Sequence, residues 1–202
     1  MAVDINGCDI LPLYVSPAHQ KTLIEDVHKV VAQAPFVRLR TRHGYMSVQV
    51  TAAGQYFWYA DEQGYRYQTQ HPSGVVLPSI PESILSIWHD LVSKSVDPEC
   101  CLINFYDARA KMGLHQDKDE ADFSWPVVSI SLGDTAVFRV GGLARRDPSK
   151  TVPLRSGDVV VIGGRARLVY HGIDRVSLGS SSLIPGGGRV NITLRVVRSV
   201  CA

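Results

Sequence analysis

The triplet His115-Gln-Asp117 and the later His171, within Leu168-Val-Tyr-His-Gly-Ile173, carry the residue types that hold a non-haem Fe(II). Two neutral imidazoles and one carboxylate can occupy one face of the ion, leaving other positions open for a cosubstrate and O2. His115 and Asp117 are two apart, so in an extended segment they share a face. The triplet alone is weak. With seven His and 14 Asp in 202 residues, chance supplies about half a His-x-Asp match. A surface histidine beside a surface aspartate is the plain alternative, and the neighbouring patterns must decide.

Those patterns are polar residues at strand spacing. Asn104 and Tyr106 alternate within Leu102-Ile-Asn-Phe-Tyr106. Arg189, Asn191, Thr193 and Arg195 alternate with Val190, Ile192, Leu194 and Val196. Alternation puts each polar set on one face of its strand. A sheet with one wet face would give the same pattern. So would a cavity for a dicarboxylate, because a planar guanidinium grips a carboxylate through paired hydrogen bonds and Asn and Tyr add neutral donors.

The elements that must position these residues follow from periodicity. Ser16-Pro17 reads as an N-cap followed by proline at the first helical position. Leu23, Ile24, Val27, Val30 and Val31 recur at helical spacing and predict a helix over 17–33. Ile84, Leu85, Ile87, Trp88, Leu91 and Val92 predict a second over 79–96. Met46, Val48 and Val50 alternate as a strand, and segments 56–59 and 64–67 flank Asp61-Glu-Gln-Gly64 as a β-hairpin. Short strands are predicted at 100–107, 126–133, 136–140, 151–154, 158–162, 167–171 and 189–197, with a Ser/Gly-rich loop over 177–188. Helices first and short strands later indicate an α+β chain with a double-stranded β-helix, or jelly roll, as its core.

A hydrophobic content of 45% and a charged content of 20% suit a soluble globular protein. No apolar run is long enough to span a membrane, and residues 1–8 lack a secretory layout, so a cytoplasmic location is expected. A net charge of +2 is too mild for a general nucleic-acid footprint. Three basic clusters are read as solvated faces in preference to phosphate tracks: Arg38, Arg40, Arg42 and His43; Arg139, Arg145, Arg146 and Lys150; Arg165 and Arg167. Cys8, Cys100, Cys101 and Cys201 fit neither a zinc ribbon nor a disulfide framework and are read as buried thiols, with Cys100 and Cys101 on opposite faces of one strand.

Taken together, these segments resemble the AlkB-type Fe(II)/2-oxoglutarate-dependent nucleic-acid demethylases. The matching text is Cys101-Leu-Ile-Asn-Phe-Tyr106; Leu114-His-Gln-Asp-Lys-Asp-Glu120; Val128-Ser-Ile-Ser-Leu-Gly133; Phe138 with Gly141-Gly-Leu143; Gly157-Asp-Val-Val-Val161; Tyr170-His-Gly-Ile173; and Arg189-x-Asn-x-Thr-x-Arg195. Met46-Ser-Val48, Gly54, Trp58 and Gly64-Tyr65 extend the likeness to about 150 residues. It implies one catalytic domain over 1–202, with N-terminal helices and a β-hairpin nucleotide-recognition lid in 1–99 and the dioxygenase core in 100–198. His115, Asp117 and His171 become the iron ligands. Asn104, Phe105, Tyr106, Arg189, Asn191 and Arg195 become the 2-oxoglutarate set, with Arg189 clamping the distal carboxylate. Trp58, Tyr65, Arg66, Tyr67 and Arg145 fall to the substrate. Asp119, beside the base, falls to both catalysis and substrate binding. Asp134-Thr135 is polar where the family is expected to be apolar, and 67–79 and 186–188 are not sharply matched.

The implied reaction consumes O2 and converts 2-oxoglutarate to succinate and CO2. It hydroxylates the alkyl carbon of bases such as 1-methyladenine and 3-methylcytosine, which leaves as formaldehyde. The expected partner is single- or double-stranded DNA, with RNA as an open alternative, and the expected state is a monomer. Two rivals stand beside this reading: a same-fold hydroxylase of proteins or small molecules, and a barrel that binds nucleic acid without turnover.

Overall fold

The computed structural model describes residues 2–42 and 44–198. His43 and Cys201 lie outside the described residues. Strands β1 (Val3–Ile5) and β2 (Cys8–Leu11) form an N-terminal hairpin that periodicity does not predict. Its turn is Asn6-Gly7, with φ of 52° and 87°, the left-handed pair that a tight two-residue hairpin turn requires. Helix α1 (Pro17–Gln33) has the predicted bounds: the Ser16 side chain accepts a hydrogen bond from the His19 amide, and Leu23, Ile24, Val27 and Val30 are buried. Helix α2 (Glu82–Leu91) is shorter than the predicted 79–96. Pro81 caps it in an extended conformation (ψ 143°), and Val92 leaves helical geometry at φ −124°. The apolar residues beyond its ends pack without continuing the helix.

Between the helices lie β3 (Arg40–Thr41), β4 (Gly44–Tyr45), β5 (Gln49–Gly54), β6 (Phe57–Asp61) and β7 (Gly64–Gln68). The predicted strand over 46–50 is displaced to β5, whose central residues Val50–Ala53 are all buried. β6 and β7 make the predicted hairpin, pairing Asp61 with Gly64 and Trp58 with Tyr67. The C-terminal half contributes β8 (Cys100–Tyr106), β9 (Met112–His115), β10 (Val127–Gly133), β11 (Thr135–Val140), β12 (Lys150–Leu154), β13 (Val159–Ile162), β14 (His171–Ser177) and β15 (Arg189–Arg195). The predicted strand over 167–171 is corrected. A 3-10 turn, Gly164–Ala166, precedes it, and β14 begins at His171 and runs on to Ser177.

These strands build a seven-stranded sheet in the order β1-β2-β13-β10-β15-β8-β5 and a four-stranded sheet in the order β12-β11-β14-β9. Alternate residues of the large sheet enter different cores. Cys101, Ile103, Ile130, Leu132, Ile192 and Leu194 pack with Leu23, Ile24, Val27, Ile84 and Trp88 of the helices. Cys100, Leu102, Tyr106, Val127 and Ile162 pack instead with Ala136, Phe138, Val140, Ile173 and Val176 of the small sheet. The large sheet is therefore covered on both faces, and the two facing sheets form the expected jelly roll. Cys8, Cys100 and Cys101 are buried free thiols, the latter two on opposite faces as alternation requires. No helix among the described residues is long and apolar enough to cross a membrane.

Trp88 joins the helical layer to this sheet. It is fully buried, its Nε1 donates to the Val96 carbonyl at 2.7 Å, and its ring lies 6.4 Å from that of Trp125. Trp88→Ala is expected to lower unfolding free energy by about 3–5 kcal/mol through the cavity it leaves. Denaturant titration checks this. A loss below about 1 kcal/mol would mean that the helices are not integral to the sheet's stability.

Candidate metal centre and its cavity

His171 opens β14, His115 closes β9, and the two pair directly across the small sheet. Asp117 follows two residues beyond the end of β9. One ligand atom from each of His115, Asp117 and His171 lies within 4.8 Å of the others. Nε2 of His115 is 3.7 Å and Nε2 of His171 is 3.6 Å from the Asp117 carboxylate. Each ring is aimed by its other nitrogen: Nδ1 of His115 meets the Gly113 carbonyl at 2.9 Å and Nδ1 of His171 meets the Val169 carbonyl at 3.1 Å. A carbonyl can only accept, so Nδ1 carries the proton in both rings and Nε2 keeps its lone pair for a metal. Burial, and then the neighbouring His115, push His171 down to about 4, so it is a neutral ligand at neutral pH.

Asp117 needs its charge to bind a cation, yet it is buried. Burial pushes its carboxyl up, but Arg195 and then the two histidines outweigh that and hold it well below the usual carboxylate range. Arg195 donates from Nη2 to Asp117 at 3.0 Å and from Nη1 to Glu120 at 3.1 Å. Arg167 donates to Glu120 at 3.0 Å, to the Asp117 carbonyl at 2.6 Å and to the Trp125 carbonyl at 2.9 Å. The Tyr67 hydroxyl donates to Glu120 at 2.6 Å. Sequence reasoning misses both Arg167 and Glu120 as parts of the site. Arg167, expected on a solvated face with Arg165, is instead buried, 3% exposed.

The metal residues sit in a cavity of about 440 Å³, whose lining includes Asn104, Tyr106, Arg189, Asn191, Thr193 and Arg195. The polar face of β15 is thus buried against the cavity, which rules out a sheet with one wet face. Arg189 is 1% exposed. Its Nη2 donates to Ser131 Oγ at 3.0 Å, while Nε and Nη1 have no hydrogen-bond partner among the described residues. Asn191 is fixed by Ser129 Oγ at 2.7 Å and the Ile130 carbonyl at 3.1 Å. Phe105 is corrected. Alternation turns it to the helix side, where it stacks obliquely on Phe36 at 5.8 Å, and it is absent from the cavity lining.

At the cavity mouth, Trp58 stacks on Tyr65 with centroids 5.1 Å apart and planes at 14°. Trp58 Nε1 donates to Asp119 Oδ2 at 2.8 Å. Trp58, Tyr65, Asp119 and Arg145 all line the cavity, and Arg145 lies 5.8 Å from the Tyr170 ring centre. Two expected substrate residues point elsewhere. Arg66 pairs with Asp61 at 2.7 Å on the hairpin's outer side. Tyr67 turns inward to Glu120. Period-two alternation along β7 explains Arg66, which Tyr65 and Tyr67 leave on the other face; Tyr67 shares the face of Tyr65 but ends on Glu120.

A two-histidine, one-carboxylate face is the donor set of a non-haem Fe(II) oxygenase, and two unpartnered guanidinium nitrogens of a residue lining the same cavity suit a carboxylate cosubstrate. A profile of the 2OG-Fe(II) oxygenase superfamily matches residues 7–195. An alpha-ketoglutarate-dependent dioxygenase AlkB homolog from Caulobacter vibrioides is 49% identical over 197 residues, covering 96% of this chain and 90% of that one. The alpha-ketoglutarate-dependent dioxygenase AlkB of Escherichia coli is 42% identical over 183 residues, covering 86% and 82%. The solved structure of OsALKBH1 superposes with a TM-score of 0.84 at 31% identity, covering 97% of this chain and all of that one. The chain belongs to the AlkB-type branch of the 2OG-Fe(II) oxygenases. The donor set and the cavity accordingly fit Fe(II), 2-oxoglutarate and O2.

Two substitutions separate the metal's needs from the fold's. His171→Ala removes one of three ligands and is expected to abolish stoichiometric Fe(II) binding while the metal-free protein melts near the wild-type temperature. Glu120→Ala leaves Arg167 and Arg195 charged, buried and short of partners, and is expected to cost about 3–5 kcal/mol of stability. Iron content and thermal unfolding check both. Retained iron in the first contradicts the role of His171 as a ligand. An unchanged melting temperature in the second contradicts that of Glu120 as the partner of both arginines.

Proposed function

We propose that this enzyme removes alkyl groups oxidatively from bases such as 1-methyladenine and 3-methylcytosine in DNA. The observation that carries this is the Trp58–Tyr65 stack at the mouth of a cavity floored by the metal residues. A base extruded from its strand loses stacking, and an aromatic pair at the opening replaces it. The β6–β7 hairpin is then the nucleotide-recognition lid. Asp119 stands in the same wall with Trp58 bonded to it. Methylation at a pairing-edge nitrogen makes the base cationic, and a carboxylate beside it favours that form. Arg145 supplies positive charge on the same rim.

Bound Fe(II) and 2-oxoglutarate supply the oxidising power, with succinate and CO2 as the spent products of the cosubstrate. The chain does the rest. Nε2 of His115, Nε2 of His171 and the Asp117 carboxylate hold the metal. Arg189 takes the distal carboxylate of 2-oxoglutarate on its unpartnered nitrogens, with Tyr106, Asn104 and Asn191 beside it. Arg195 keeps Asp117 ionised and also faces the cosubstrate. The hairpin presses the base onto the cavity and excludes water. Hydroxylation of the N-methyl carbon then gives a product that collapses to formaldehyde and the unmodified base.

The test is purified protein with Fe(II), 2-oxoglutarate and oligonucleotides carrying 1-methyladenine, 3-methylcytosine or the neutral N6-methyladenine, each as DNA and as RNA. Formaldehyde matching the succinate formed above the strand-free background, fastest on the cationic bases in DNA, is the expected result. Succinate without formaldehyde on any strand would move the substrate to another class of molecule. Trp58→Ala is expected to weaken affinity for a methylated single strand by about 1–3 kcal/mol while substrate-independent consumption of 2-oxoglutarate persists. Unaltered strand affinity would make Trp58 a packing residue of the hairpin.

A further inference from the structure

Asp134, the acidic residue where the family is expected to be apolar, lies at the junction of β10 and β11 and is 2% exposed. It binds the segment that leads into Arg189. Its amide donates to the Gly188 carbonyl at 2.9 Å, and Gly188 donates back from its own amide to Asp134 Oδ2 at 2.8 Å. The other carboxylate oxygen accepts from the Ser181 amide at 2.9 Å and the Ser180 hydroxyl at 3.3 Å. One side chain thus spans both ends of the 180–188 loop.

That loop has reason to need an anchor. Gly186, Gly187 and Gly188 all have positive φ, at 84°, 79° and 102°. Three successive glycines leave the backbone with more freedom than any other residues would. The chain must nevertheless pass tightly at this point: a Cβ on Gly188 would lie 2.8 Å from the Phe105 ring, and one on Gly133 would lie 2.5 Å from the Gly188 carbonyl. The next residue is Arg189, paired in register with Gly133 and with Tyr106. Its guanidinium is bonded to Ser131 and lies against Tyr106, with Nε and Nη1 unpartnered among the described residues, so its aim depends on where its backbone is held.

We propose that Asp134 is a positioning residue for the cosubstrate: it fixes Gly188 and thereby sets the approach of Arg189 to the distal carboxylate of 2-oxoglutarate. The inference rests on the assignment of Arg189 as that clamp. A carboxylate suits the task because one group accepts from two ends of a loop at once, which an apolar residue cannot do.

The experiment measures 2-oxoglutarate binding by calorimetry on Mn(II)-loaded protein, for wild type, Arg189→Ala, Asp134→Ala and Asp134→Asn. Mn(II) affinity and binding of a methylated single strand are measured alongside. Asp134→Ala is expected to weaken 2-oxoglutarate binding about tenfold, leaving Mn(II) and strand affinity unmoved. Asp134→Asn retains a carbonyl acceptor and is expected to recover part of the loss. Amide exchange at 181 and 188 should quicken in both variants. If Asp134→Ala does not fold, Asp134→Asn carries the test, with an intermediate loss and faster exchange. A weakening in Arg189→Ala with none in either Asp134 variant overturns the positioning role and leaves the clamp standing. No weakening in Arg189→Ala overturns the clamp itself, and the role of Asp134 with it. Equal loss of Mn(II), strand and 2-oxoglutarate binding would make Asp134 a general support of the fold, which also overturns the proposal.

Discussion

The site depends on keeping Asp117 ionised where little water reaches it. A lone buried carboxylate would take up a proton, and a protonated acid is a poor metal ligand. Arg195 supplies the opposing charge, but an arginine with only one carboxylate in the interior would leave the arrangement loosely determined. Glu120 completes it by accepting from Arg195 and Arg167 together, giving two guanidiniums and two carboxylates in mutual contact. Such a network contributes little net stability relative to apolar packing of the same volume. What it supplies is position. Arg167 also grips the Asp117 and Trp125 carbonyls, so the segment carrying Asp117 is tied to the turn just before His171. Arg195 ties it to the central sheet.

The same short segment serves the cavity mouth. Asp117 faces the metal position, Asp119 accepts from Trp58, and Glu120 accepts from Tyr67. Both donors belong to the β6–β7 hairpin, on opposite strands of it. The hairpin is therefore fastened to the metal-binding segment at two points, and neither bond touches the metal directly. Displacing the hairpin requires breaking a bond to a buried ionised carboxylate, which is stronger than a neutral hydrogen bond.

Alternation makes much of this legible in the sequence. The spacing in β8 and β15 puts Asn104, Tyr106, Arg189, Asn191 and Arg195 on one face, and the structure places that face on the cavity. What alternation also implies, and the family likeness obscures, is that Phe105 must face the helices. Glu120 and Arg167 escape notice because an acid in the run Asp117-Lys-Asp-Glu120 and a base near Arg165 look like solvent-facing charges. Only three-dimensional proximity reveals that each neutralises the other. The β1–β2 hairpin is signalled by Asn6-Gly7, but strands of three and four residues are too short for their alternation to stand out. The ends of α2 and the start of β14 are set by Pro81 and the glycine-led turn before His171, local geometry that apolar periodicity does not register.

A cavity lined by Arg, Asn and Thr is tolerable because the large sheet has two buried faces with different tasks. The helix side carries Ile103, Ile130, Ile192 and Leu194 at or near zero exposure and provides apolar burial in quantity. The other face of the same strands is then released to carry groups that folding alone would disfavour. Arg189 shows the consequence most plainly. Burial, only partly offset by Tyr106, lowers its pKa, and two of its nitrogens lack partners among the described residues. The penalty of stripping water from that guanidinium is incurred when the chain folds, so in the proposed clamp role it would offer a carboxylate a donor already desolvated and already aimed. Stability drawn from one face of the sheet is what permits that preorganisation on the other.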